Sequence, residues 1–285
     1  MTQYKTTEID DLNIFYREAG NPERPSILLL HGFPSSSHMY RNLIEELKDD
    51  FHLIAPDYPG FGYSSFPKKQ EFEYSFDRIS EVIEAFCKKI GLTSFSPFMH
   101  DYGAPVGFRI ARRNPDWIQT LLIQNGNAYK EGLGPGFEVT KNLWDDRNSK
   151  TEQAVKDFMA LETTRWQYEN GTSNPELISP DSYTLDQFLM DRPGNKEIQL
   201  ELQYDYRRNV EEYAQWHAYF EEHQPPALLV WGKNDEFFPA VGARAYEQHL
   251  ENAEVHLLDS GHFPLEEYAD VTAAFVSKFL TYQLQ

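Results

Sequence analysis

The sequence predicts an α/β fold, a mostly parallel central sheet flanked by helices with an inserted helical cap, on three observations. Short apolar runs recur along the chain, helix-like segments lie between them, and one interval is far too long for an ordinary connection. A chain of 285 residues, 40% hydrophobic and 15% aromatic, can bury the core such a fold needs.

The apolar runs are Ile27 to Leu30, Phe51 to Ala55, Phe95 to Met99, Leu121 to Ile123, Ala227 to Trp231 and Val255 to Leu258. Each ends in polar residues or glycine, as strands buried on both faces do. Between them, Met39 to Leu47, Phe76 to Ile90, Pro105 to Arg113, Gly242 to Leu250 and Leu265 to Leu280 have helical character. Alternation of the two kinds argues for a parallel sheet covered on both sides.

After Ile123 the rhythm stops for roughly a hundred residues, where connections normally run to a handful. This stretch is rich in aromatics, among them Trp144, Trp166, Tyr168, Tyr206 and Trp216, and helical rather than strand-like. The predicted division is therefore a core from residues 1–130, a helical cap from 131–222 and the rest of the core from 223–285.

A formal net charge of -19 repels phosphate backbones and anionic lipid, so neither nucleic acid nor a membrane surface is an expected partner. No apolar stretch reaches the roughly 18 residues of a membrane span, and the polar, acidic start predicts neither signal nor transit peptide. Cys87 is the single cysteine, which excludes an internal disulfide and a cysteine metal cluster. A cytoplasmic location, a monomer or homodimer, and Cys87 as a small buried hydrophobe are the corresponding expectations.

In open parallel sheets, ligands bind beyond the carboxyl ends of the strands. Four such ends carry chemistry. His31-Gly32-Phe33-Pro34 is a tight turn that leaves backbone amides free, a candidate half of an oxyanion hole. Met99-His100-Asp101-Tyr102-Gly103 runs from strand to helix in the layout of a nucleophile elbow, with Asp101 where serine is usual and Met99 where glycine is usual. Trp231-Gly232-Lys233-Asn234-Asp235 and Ser260-Gly261-His262-Phe263-Pro264 supply an acid and a histidine in the chain order of that architecture. His31 and His100 are read as structural. Asn125 and Asn127, after the strand at Ile123, either contact substrate or cap their turn.

These four junctions, with the turn Asp57-Tyr58-Pro59-Gly60-Phe61-Gly62, resemble the α/β-hydrolase superfamily over nearly the whole chain, in the branch of epoxide hydrolases and haloalkane dehalogenases. The resemblance implies an α/β-hydrolase fold and a triad of Asp101, Asp235 and His262 that works without metal or organic cofactor. A carboxylate is already ionised at pH 7 and can displace a leaving group from carbon directly. His262 then activates water against the resulting ester, Asp235 holds the imidazole, and the amides of Phe33 and Tyr102 form the oxyanion hole.

Epoxide opening needs a proton donor. Tyr206, in Tyr206-Arg207-Arg208-Asn209, resembles a ring-opening tyrosine of epoxide hydrolases; it is equally one aromatic among many lining the cap. Trp166 and Tyr168 are the earlier cap candidates, with Thr164 as an alternative register, and Asn125 completes the substrate-binding set. Haloalkane dehalogenases usually place tryptophan after the nucleophile, and fluoroacetate dehalogenases place arginines there, where this chain has Tyr102 and Pro105. The expected function is hydrolysis of small, uncharged, apolar epoxides, with haloalkane dehalogenation second and a non-catalytic ligand-binding protein as the alternative from another class.

Overall fold

In the computed structural model, which describes residues 1–284, eight strands form one sheet. In chain order the elements are β1 (Gln3–Ile9), β2 (Leu12–Ala19), β3 (Ser26–Leu30), α1 (Arg41–Leu47), β4 (His52–Pro56), α2 (Phe76–Ile90), β5 (Ser96–His100), α3 (Gly103–Arg113) and β6 (Leu121–Gln124). Then come five helices, α4 (Glu138–Asp145), α5 (Ser149–Asp157), α6 (Leu161–Glu169), α7 (Pro180–Met190) and α8 (Asn195–His223). The chain closes with β7 (Ala227–Gly232), α9 (Ala240–Ala245), β8 (Ala253–Leu258) and α10 (Leu265–Gln283).

The sheet order is β1-β2-β4-β3-β5-β6-β7-β8. From β4 to β8 all pairs are parallel, while β2 is antiparallel to both β1 and β4. All six expected strands are present. Two corrections apply: β8 is a half-exposed edge strand rather than a buried one, and the β1–β2 hairpin has no counterpart in the apolar runs. β1 presents mostly exposed polar side chains, and β2 alternates buried Leu12, Ile14 and Tyr16 with more exposed residues, so neither reads as a continuous apolar run.

Alternate residues of the central strands feed two cores. Leu28 and Leu30 pack toward α2, α3 and α8, whereas Ile27 and Leu29 pack toward α1 and α10. The helix α2 shows why its sequence ends where it does. The Ser75 side chain accepts from the Arg78 amide at its start, Phe76, Ile79, Val82, Ile83 and Phe86 form the buried stripe, and Gly91 closes it at φ 75°. Cys87 is buried in that helix, and burial pushes its thiol up.

No helix among the described residues is long and apolar enough to cross a membrane. Of the five helices between β6 and β7, α4, α6 and α8 contribute residues to the cavity at the carboxyl ends of the strands, and α8, at 29 residues and about 43 Å long, also packs against α2 and α3.

Candidate active site

The chain reverses its direction of travel across the sheet at β3 and β5, and the site opens at this switch point. Asp101 is the first residue after β5 and sits at φ 47°, a left-handed conformation that costs a non-glycine residue about 1–3 kcal/mol. Its neighbours make room for it. A Cβ on Gly103 would collide with the Leu30 carbonyl oxygen, and one on Gly32 would collide with the Asp101 side chain. Met99, large where a small residue is usual, is accommodated by Gly107 on α3, where any Cβ would meet the Met99 thioether.

The Asp101 carboxylate is buried, at 5% exposure, and its Oδ2 accepts the Phe33 N–H at 2.7 Å. Burial pushes its pKa up to about 6, against the lowering influence of His262 and of the Phe33 and Tyr102 amides. It is still mainly ionised at pH 7.

His262 shares the cavity with Asp101, and its Nδ1 donates to Asp235 Oδ2 at 2.8 Å. Asp235 Oδ1 accepts the Phe237 amide at 2.7 Å, and Oδ2 also accepts Asn125 Nδ2 at 2.8 Å. Burial alone would lower the His262 pKa; the Asp235 charge and hydrogen bond, with the Asp101 charge, outweigh it and raise it. The imidazole is thus oriented by one carboxylate and lies in the field of a second.

His31 is neutral and structural. Its Nδ1 donates to the Gly32 carbonyl at 3.0 Å, Nε2 accepts the Tyr58 amide at 3.2 Å, and burial lowers its pKa to about 3. His100 Nδ1 donates to the Gln124 carbonyl at 3.2 Å. Asp57 holds its turn by accepting the amides of Ser37 and Tyr63.

Asp101 and His262 form the floor of a cavity walled by Phe33, Tyr102, Phe137, Phe158 and Phe237. Its polar wall residues are Thr140, Gln167 and Gln203, all from the inserted helices. The space admits the centre of a water molecule over about 20 Å³, room for roughly one water.

The substrate-side expectations need correction. Asn125 is fully buried and bonds Gly232 and Asp235 instead of facing the cavity. Asn127 donates to the Tyr129 carbonyl and the Tyr213 hydroxyl. Tyr168 donates to Asp186 at 2.5 Å and stacks on Phe263 at 3.9 Å, away from the wall. Trp166 packs edge-on against Phe237, also behind the wall. Thr164 donates to Gln187 at 2.7 Å. Tyr206 lies fully buried among Phe76, Tyr102, Phe137 and Trp144 rather than on the wall, and its hydroxyl has no well-formed hydrogen bond. Gln167, between Trp166 and Tyr168, lines the cavity where they do not. Successive helical residues are rotated by about 100°, so a choice of aromatics at 166 and 168 skips the inward face at 167.

The parallel sheet, the strand-to-helix elbow and the histidine–carboxylate pair define an α/β hydrolase. Residues 25–269 match the family described as alpha/beta hydrolase fold, and the chain belongs to it. It is 40% identical over 263 residues to an uncharacterized hydrolase of Saccharomyces cerevisiae, covering 91% of this chain and 90% of the yeast protein. Two solved structures share the fold. Haloalkane dehalogenase DbeA from Bradyrhizobium elkani has a TM-score of 0.85 at 20% identity, covering 100% of this chain and 99% of its own. Epoxide hydrolase CorEH has a TM-score of 0.81 at 20% identity, covering 100% of both.

Proposed function

We propose that this hydrolase acts by covalent catalysis through Asp101, opening small, uncharged, mostly apolar epoxides beneath a cap formed by residues 131–222. The observation that carries the reading is the Asp101 carboxylate itself: buried in the elbow, hydrogen-bonded to the Phe33 amide, and sharing an aromatic cavity with His262. A serine in that turn would need its proton removed before attack; this carboxylate does not.

Asp101 attacks a ring carbon, the carbon–oxygen bond breaks, and the oxygen takes a proton. The phenol that lines the cavity is Tyr102, whose hydroxyl is buried without a hydrogen-bond partner and held protonated because burial raises its pKa. It takes the place of Tyr206 and Tyr168 as candidate acid. His262 then removes a proton from water, which attacks the ester carbonyl, and the amides of Phe33 and Tyr102 steady the oxyanion. The imidazolium returns its proton to the phenolate, and a diol leaves.

Dehalogenation is the second reading, favoured by the withdrawal of the Tyr168 and Tyr206 hydroxyls from the wall, since a halide leaves without a proton. Against it, two of the five indole N–H groups are spent elsewhere, Trp144 donating to the Gln203 carbonyl and Trp231 to that of Phe238, and none of the five tryptophans lines the cavity.

Intact-protein mass spectrometry of His262→Gln, exposed to a panel of epoxides and haloalkanes, tests the reading. An adduct equal to a whole epoxide supports epoxide opening, and one equal to a haloalkane less hydrogen halide supports the second reading. No adduct from either, on a folded variant, favours a non-catalytic binding protein.

A further inference from the structure

We infer that Gln167, on α6, contacts the substrate, its Nε2 donating a hydrogen bond to the oxygen that leaves the carbon attacked by Asp101. The inference rests on the covalent epoxide reading and names the group that recognises the leaving oxygen from the cap side.

Gln167 is 3% exposed and lines the same cavity as Asp101 and His262. Its Nε2 is buried with no hydrogen-bond partner. A buried amide N–H without a protein acceptor costs stability, so its retention at the cavity points to an acceptor held there, water in the free protein and a ligand oxygen when substrate is bound. Gln203, the other amide on the wall, is committed through its Oε1, which accepts from Thr140 Oγ1 at 2.9 Å. Gln167 is not so tied.

The helix that carries it is fixed on both sides of the residue. Thr164 donates to Gln187 and Tyr168 donates to Asp186, both on α7, and Tyr168 also stacks on Phe263 beside His262. These contacts hold the inward face of α6 in one rotation over the nucleophile, the rigidity that a positioned donor requires. Asp101 belongs to the core and Gln167 to the insert, and both line the cavity, so on this inference the substrate carbon lies between them, with the leaving oxygen on the Gln167 side as in-line displacement demands.

In that step an Asp101 oxygen bonds to carbon and the carbon–oxygen bond breaks. The electron pair stays on the departing oxygen, which Gln167 holds while the phenol protonates it. The amide itself gives up no proton.

The test compares His262→Gln with His262→Gln/Gln167→Met, the methionine keeping length and volume without the donor. Both are mixed with styrene oxide, and the rate of covalent labelling is followed by intact mass. The inference expects labelling about a hundredfold slower in the double variant, partial recovery in His262→Gln/Gln167→His, and a melting temperature for Gln167→Met no lower than that of the native chain. Equal labelling rates in the single and double variants would overturn the role of Gln167 while leaving the covalent reading intact. No labelling of His262→Gln itself by any epoxide would overturn the reading on which the inference stands.

Discussion

Asn125 and His262 donate to the same oxygen: Nδ2 of the amide and Nδ1 of the imidazole each lie 2.8 Å from Oδ2 of Asp235. Asn125 also receives the Gly232 amide on its Oδ1 at 2.9 Å, which sets the orientation of the side chain. It is therefore a positioning residue beneath the site. The backbone at 125 is left-handed, φ 43°, so Asn125→Gly removes the amide without adding strain. Loss of a hydrogen bond to a buried carboxylate is expected to cost about 1.5–3 kcal/mol in urea denaturation and to slow hydrolysis of the covalent ester. Unchanged stability would show that the bond carries no load.

Burial pushes the Asp101 carboxyl up to about 6 in the folded protein, against the ordinary carboxylate value of about 4 in the unfolded chain. A folded pKa above the unfolded value gives stability that is fully present below the unfolded pKa and is lost as pH rises through the folded one. Asp101→Asn does not titrate. Its stability relative to the native chain should therefore grow between pH 4 and pH 8, by up to about 3 kcal/mol in urea denaturation at each pH. A difference independent of pH would contradict this.

Met99 and Gly107 exchange space across the elbow. Gly107→Ala should destabilise the chain by about 1–3 kcal/mol through overpacking. In a Met99→Ala background the same substitution should cost less, because the thioether it strikes is gone. A double-mutant cycle measures the coupling, and additive effects would mean that the two residues do not compete.

Tyr168 is a strut between α6 and α7. Burial pushes the Asp186 carboxyl up to about 7, while the Tyr168 hydroxyl favours its charged form. Tyr168→Phe should keep turnover within about threefold yet lose about 1–3 kcal/mol of stability above pH 7, where Asp186 must ionise without that donor. Turnover falling a hundredfold with unchanged stability would restore the hydroxyl to the chemistry.

The sheet was legible because central parallel strands bury both faces and so appear as unbroken apolar runs. β1 was not, because its side chains are mostly exposed and its signal is alternation with few apolar residues. The four strand ends were legible for a related reason: glycine and proline turns mark them, and chemistry collects there. Contacts made by the helices between β6 and β7 were harder. Tyr168 and Trp166 are aromatic and near the site in sequence, but helix rotation sends Gln167 inward, and a glutamine on a polar helix carries no signal by itself. Tyr206 illustrates the same limit, since aromatic packing among Phe76, Tyr102 and Trp144 leaves the same sequence trace as a catalytic phenol.

Single-turnover reaction of excess native protein with an epoxide, in water labelled with heavy oxygen, tests the central role of Asp101 most directly. If Asp101 attacks carbon and water then attacks the ester carbonyl, the first diol carries ordinary oxygen and the heavy isotope appears in the peptide containing Asp101. Heavy oxygen in that first diol, with an unlabelled Asp101 peptide, would mean that water attacks the substrate directly and would contradict the account.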